Sequence, residues 1–135
     1  IADHPELVLD VAHNPQAARQ LSQWLQANPK TTFAVFSALS DKEIETIVDT
    51  LKSDIQHWFL AGIDDAGPRN SSADELKARI KCGVAESSLS SHANIRDALE
   101  ASQLRAKRDE RILVFGSFHT VAAAIKALKT GPATL

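Results

Sequence analysis

The chain has 135 residues, the size of one ordinary domain that can bury a core without disulfide or metal support. Fifteen Lys and Arg against seventeen Asp and Glu leave a net charge of -2, which argues against a polyanion-binding stripe, an acidic tail and a nucleic-acid partner. With 44% hydrophobic residues the composition is that of a soluble globular protein, and its longest apolar runs, such as Ile112 to Phe115, are too short to span a membrane.

Leu7-Val8-Leu9 is a short apolar run, the form of a parallel strand covered on both faces. Asn14-Pro15 reads as an N-cap and first-turn proline, ahead of Ala18, Leu21, Trp24 and Leu25 at helical spacing. Asn28-Pro29 stops that helix. Phe33-Ala34-Val35-Phe36 is a second buried strand, and Ser40-Asp41-Lys42-Glu43 reads as a capping box before Ile44, Ile47, Val48 and Leu51. His57-Trp58-Phe59-Leu60-Ala61 is a third strand ending at Gly62 and a turn-rich loop. A second capping box, Ser72-Ala73-Asp74-Glu75, precedes Leu76 and Ile80. Cys82-Gly83-Val84-Ala85 is read as a very short strand. Ile95, Ala98 and Leu99 mark a fourth helix that ends near the charged turn from Arg105 to Arg111. Ile112-Leu113-Val114-Phe115 is the last strand, and Val121, Ile125 and Leu128 mark the last helix. A frayed tail follows the Thr130-Gly131-Pro132 break.

Strands and helices therefore alternate along the whole chain. That order predicts an α/β fold, a Rossmann-like open, mostly parallel sheet with helices on both faces, in a single domain over residues 1–135. A lone cysteine, Cys82, precludes an internal disulfide and fits a reducing cytoplasmic compartment; it reads as a structural thiol, with no nearby base to make it a nucleophile. Five histidines stand at no zinc-like spacing with one another or with Cys82, so no structural metal is expected. The chain lacks methionine and begins Ile1-Ala2-Asp3-His4-Pro5, which is not a signal peptide and reads as a piece of a longer protein.

Ligands of such sheets bind beyond the carboxyl ends of the strands. The candidates there are Asp10, His13 and Asn14 after the first strand and Ser37 and Ser40 after the second. Asp64, Asp65 and Arg69 follow the third, and Gly116, Ser117, His119 and Thr120 the last. Asp10-Val11-Ala12-His13-Asn14-Pro15 is the richest. A carboxylate at a strand end suits a ribose diol, and the helix start behind it offers free N–H groups and a positive dipole to an anion. His13 could point at the same anion, or be only a loop residue beside a helix start. Gly116-Ser117-Phe118-His119-Thr120 is the second candidate, and a strand-to-helix turn with Ser117 or Thr120 as its cap explains all of it. Asp64 to Asn70 is mostly turn chemistry, with Arg69 able to reach a phosphate from the crevice.

Absences discriminate further. The sequence has no Gly-x-Gly-x-x-Gly, no Walker-type glycine-lysine loop and no Gly-x-Ser-x-Gly elbow. A hydrolase triad of Asp10, His13 and Ser117 is thereby disfavoured. A phosphoacceptor domain would want a cluster of carboxylates after strands one and three and a lysine after the last strand; here the first strand carries one Asp and the last ends in Gly116-Ser117 with no lysine.

Leu9-Asp10-Val11-Ala12-His13-Asn14-Pro15 together with Val114-Phe115-Gly116-Ser117-Phe118-His119-Thr120-Val121-Ala122 resembles the C-terminal domain of bacterial bifunctional dihydrofolate synthase/folylpolyglutamate synthase, a family grouped with the Mur ligases. Ser40-Asp41-Lys42 and Gly67-Pro68-Arg69 extend the resemblance over nearly the whole chain. It implies an ATP-dependent amide ligase in folate biosynthesis and one-carbon metabolism. ATP would phosphorylate a carboxylate of dihydropteroate or tetrahydrofolate, and the amine of L-glutamate would attack the acyl phosphate. By the same resemblance Asp10 and Asn14 are ATP-binding, while His13 and Ser117 lie on the glutamate side. No catalytic residue is assigned to this domain. The phosphate loop, the Mg2+ ligands and a modified lysine are expected in an N-terminal domain absent from this sequence, which would be its covalent partner. The resemblance further implies a monomeric parent and a fragment inactive by itself. The alternative is a stand-alone nucleotide-sensing or interaction module with no catalysis; a glycine-lysine loop upstream in the reading frame would exclude it.

Overall fold

Five parallel strands form one sheet in the computed structural model, which describes residues 4–39, 43–62, 72–81 and 83–130. They are β1 (Glu6–Leu9), β2 (Thr32–Phe36), β3 (His57–Ala61), β4 (Leu89–His92) and β5 (Arg111–Phe115). Helices α1 (Pro15–Ala27), α2 (Ile44–Leu51), α3 (Ala73–Ile80) and α4 (Ile95–Arg105) connect them, and α5 (Phe118–Thr130) follows β5. The order across the sheet is β1-β5-β2-β3-β4, and all four ladders are parallel.

The continuous apolar runs explain this layering. β2, β3 and β5 are buried at every position, because each must feed a core on both faces. Ala34, Phe36, Trp58, Leu60, Leu113 and Phe115 meet α1, α2 and α3 on one face. Phe33, Val35, Phe59, Ala61, Ile112 and Val114 meet α4 and α5 on the other. Three helices begin as the sequence requires. Asn14 Oδ1 accepts from Ala17 N at 2.8 Å, Asn94 Oδ1 from Asp97 N at 2.8 Å, and Ser72 and Glu75 form a reciprocal box. Each such cap contributes about 1 kcal/mol. A fork between Arg79 and Glu45 clips α3 to α2, and its hydrogen bonds pull the Glu45 carboxyl down to about 2.

Four expectations are corrected. The strand expected at residues 82–85 lies at Leu89–His92 instead, while Gly83 and Val84 form a turn whose N–H groups close on Ile80 O. β4 is an edge strand that buries Leu89 but carries Ser90, Ser91 and His92, so no apolar run announces it. α2 starts at Ile44 with Glu43 at its N-cap and no side-chain cap bond, so the predicted box does not set its start; Ser40, Asp41 and Lys42 lie outside the described residues. Trp24 is not a core residue of α1 but lies 39% exposed over the Arg111 guanidinium, 4.7 Å from its ring centre. The buried face of α5 is formed by Thr120 and Ala124 with Ala123, Ala127 and Leu128 beside them, whereas Ile125 is exposed. Alanines let α5 approach the sheet closely but give weak hydrophobic periodicity, which is why the larger Val121 and Ile125 misled. The tail expected after Thr130 also lies outside the described residues.

Successive connections carry the chain outward from β2 to β3 to β4, and β5 then returns to lie between β1 and β2. The strand order therefore reverses at β1, β5 and β2, and it is beyond the carboxyl ends at such a reversal that sheets of this kind place their ligand crevice.

Candidate functional site

Two strand-to-helix junctions meet at that crevice. At the first, β1 remains stitched to β5 through Asp10 N and Val114 O at 2.9 Å. Asp10 Oδ1 then accepts from Ala12 N at 2.7 Å, a local turn held down by the buried Ala12 side chain. The other carboxylate oxygen of this half-buried residue has no partner among the described residues. His13 Nδ1 lies 2.7 Å from Val11 O. A carbonyl accepts, so Nδ1 carries the proton, and Nε2 has no hydrogen-bond partner among the described residues. The ring lies 6.2 Å from that of Phe118, which is 68% exposed.

Asn14 closes the junction. Its side chain caps Ala17 N, and Pro15 has no N–H, so the Gln16 N–H is the donor left at the start of α1. Asp10, His13 and the positive end of α1 are thus brought together within one short turn.

The second junction is tighter. Gly116 has φ +124°, and a Cβ there would stand 1.9 Å from the Ser37 carbonyl oxygen, so β5 leaves the sheet against the end of β2 in a way that glycine alone permits. Ser117 Oγ accepts from Thr120 N at 3.0 Å and caps α5. Thr120 Oγ1 donates to Ser37 O at 2.8 Å, so in the 2.9 Å contact between the two hydroxyls Ser117 is the donor. Ser117 and Thr120 are both buried, and their chain of bonds clasps α5 to β2. Ser117 bonds Thr120 and His13 bonds Val11, so no nucleophile–base pair joins them and the triad is not formed. Ser37 Oγ is buried beside this clasp with no partner among the described residues. His119 stands exposed on the first turn of α5.

Ser40, Asp64, Asp65, Gly67, Pro68, Arg69 and Cys82 lie outside the described residues. The clasp from Ser117 through Thr120 to Ser37 O is what sequence reasoning missed. A Ser-x-x-Thr spacing suggests the cap, but nothing in a linear sequence says which carbonyl the threonine reaches. Among the described residues no three His, Cys, Asp or Glu side chains converge, so this set does not fit a divalent ion by itself. A nucleoside fits better: Asp10 has a free carboxylate oxygen for hydroxyls, and α1 presents its positive end beside it.

Residues 1–118 match the family model of the Mur ligase glutamate ligase domain. The chain belongs to that family. It is 34% identical over 130 residues to dihydrofolate synthase/folylpolyglutamate synthase of Escherichia coli (strain K12), covering 95% of this chain and 29% of that protein. The enzyme of the same name from Buchnera aphidicola subsp. Acyrthosiphon pisum is 35% identical over 124 residues, covering 90% of this chain and 29% of its own length. Among solved structures, E. coli FolC in complex with DHPP and ADP superposes with a TM-score of 0.84 at 33% identity, over 96% of this chain and 30% of that one. A bifunctional folylpolyglutamate synthase/dihydrofolate synthase with Mn, AMPPNP and L-glutamate bound gives 0.82 at 32% identity, with the same coverage of 96% and 30%. As a glutamate ligase domain the chain thus spans about 30% of the length of the relatives it matches. The parallel sheet and the family drawn from the two end motifs agree with these matches. No helix among the described residues is long and apolar enough to cross a membrane.

Proposed function

We propose that this glutamate ligase domain works as the C-terminal domain of an ATP-dependent carboxylate–amine ligase of the dihydrofolate synthase/folylpolyglutamate synthase type. In that reaction the γ-phosphoryl group of ATP passes to a carboxylate of dihydropteroate or tetrahydrofolate, releasing ADP. The amine of L-glutamate attacks the acyl phosphate, an amide bond forms, and phosphate leaves with the proton lost from nitrogen. The observation that carries the reading is the junction at Asp10 and His13, which combines unused polar atoms with a helix N-terminus at the sheet's switch point. The phosphate loop and the ligands of a divalent ion would come from the remainder of a protein about three times this length, and Mg2+ there would neutralise the phosphates. The compartment is the cytoplasm, the parent is monomeric, and the domain alone does not turn over.

Within this chain the proposed roles follow the polar atoms left over at the junction. The free oxygen of Asp10 accepts from a ribose hydroxyl, and the start of α1, capped by Asn14, faces negative charge. His13 Nε2, opposite the Nδ1 fixed by Val11 O, is the atom available to glutamate. Ser117 can turn its hydroxyl to a ligand only by breaking with Thr120; as it stands, it sets the turn that shapes the glutamate side.

Kinetics of the full-length ligase test this division. Asp10→Ala should raise KM for ATP about ten- to a hundred-fold, the equivalent of roughly 1.5–3 kcal/mol, with KM for glutamate nearly unchanged. His13→Ala should do the reverse. Equal defects toward both substrates, in step with lost thermal stability, would reduce these residues to builders of the turn.

A further inference from the structure

A second polar network lies at the other edge of the sheet, across β3, β4 and α4. His57 is 6% exposed, and its Nε2 lies 3.0 Å from Ser90 Oγ, which lies 2.8 Å from His92 Nε2. Arg105 Nη1 approaches His57 Nδ1 at 3.1 Å. Chemistry fixes every role in this row. A guanidinium only donates, so His57 Nδ1 accepts and His57 Nε2 carries the ring's proton. Nε2 then donates to Ser90 Oγ, the Ser90 hydroxyl donates to His92 Nε2, and His92 keeps its proton on Nδ1. Phe59 lies between the two imidazoles, with centroids 4.6 Å from His57 and 5.6 Å from His92. The Arg105 guanidinium also lies over Phe33, 5.4 Å from its centroid.

This row joins three elements, and one of them is weakly held. β4 has four residues, pairs only with β3 among the described residues, and is well buried only at Leu89. A proton added to His57 must go to Nδ1, its one unprotonated nitrogen, and there it faces an N–H of a fixed cation. The hydrogen bond would become a contact between two donors and two positive charges. The other groups around the row do not relieve it. From α4 come Arg105 and Asp97, and the carboxylate of Asp97 favours a charge on His92 rather than on His57; from β4 comes His92, which itself opposes a charge on His57. β2 contributes the ring of Phe33.

We propose that the row Arg105–His57–Ser90–His92 is a proton-sensitive latch that holds edge strand β4 and helix α4 against β3, and that protonation of His57 opens it. Opening lets Arg105 swing into solvent from the exposed end of α4 and brings water to the imidazolium. Burial first, and then the charge of Arg105, press the His57 titration down from 6.5 to about 4. The latch therefore stays closed at neutral pH. The closed form binds fewer protons than the open one, so opening becomes easier as pH falls from 6.5 toward 4 and gains nothing further below that.

Amide hydrogen exchange of this chain, corrected for intrinsic rates, is the test, with the histidine rings followed by NMR in the same samples. The opening constant of Leu89–His92 should rise about tenfold per pH unit within that window, while β1 and β5 stay protected. His57→Gln, which keeps a donor for Ser90 but cannot titrate, should flatten the dependence. Arg105→Ala, at an exposed position, should raise the His57 titration point, so that the acceleration stops at a higher pH. A pH-independent β4, an unchanged slope in His57→Gln, or a His57 ring titrating at its ordinary value would each overturn the latch. Should His57→Gln not fold, the wild-type ring titration and Arg105→Ala still decide the matter.

Discussion

The two ends of the sheet use similar side chains to opposite ends. At the amino end Arg111 is 2% exposed and each of its three guanidinium nitrogens is engaged. It donates to Glu6 Oε1 at 2.8 Å, to Asn28 O at 2.6 Å and to Thr32 Oγ1 at 3.3 Å, with Trp24 covering its face. At the carboxyl end, among the described residues, Asp10 has one oxygen bonded and one free, and His13 has one nitrogen bonded and one free. The first cluster completes the fold; the second leaves capacity for something else. Burial does not separate a structural polar group from a functional one here. What separates them is whether the local hydrogen bonds use up what the group offers, and by that measure Ser117, though at the crevice, sides with Arg111.

The closed groups should therefore cost stability when changed. Gly116→Ala should give the largest loss, about 3–5 kcal/mol, because its Cβ meets Ser37 O and its φ is one that alanine resists. Urea unfolding would show this as a lower midpoint at unchanged slope; near-wild-type stability would mean that the junction between β5 and β2 can widen.

Arg111→Met should follow, at about 2–4 kcal/mol, since it leaves Asn28 O and Thr32 without their donor while Glu6 retains Lys30 at 3.4 Å. This loss should also depend on pH. The hydrogen bond from Arg111 is the main reason the Glu6 carboxyl is held below its ordinary value of 4.5. A depressed carboxylate adds stability above its unfolded value and loses it as pH falls through the folded one. Melting curves of wild type and Arg111→Met should therefore draw closer below about pH 4.5, and a constant gap would show that the ion pair contributes nothing beyond packing.

Both clusters bear on what a sequence can tell. β2, β3 and β5 are legible because a strand covered on both faces must be apolar throughout, and Asn14-Pro15 is legible because a cap and its helix are neighbours in the chain. β4 is not, because an edge strand can carry Ser90, Ser91 and His92 while its identity comes from pairing with β3. The Asp10 and His13 junction is readable for the same local reason as the cap. Arg111 finds Glu6 across 105 positions and Thr120 finds Ser37 across 83, and no periodicity encodes such distant partners. Local chemistry shows in the sequence; closure between distant segments becomes visible only in the fold.

Asn14 stands on the line between the two kinds of residue and gives the smallest but sharpest test. Its oxygen is committed to Ala17 N, as a structural group's would be, yet it opens the helix that faces the crevice. Asn14→Ala should lose about 1 kcal/mol of stability, a fall of about 3–5 °C in melting temperature for a domain of this size. Asn14→Asp should lose none of it, because aspartate caps as well as asparagine and adds a favourable charge at the helix start. The same negative charge would oppose any phosphate held at that end of α1. In the full-length protein, on the ligase function proposed above, Asn14→Asp should therefore keep the wild-type melting temperature and still raise KM for ATP. A variant that keeps both would leave Asn14 as a cap and move the anion away from α1, so that Asp10 would hold the nucleoside without help from the helix.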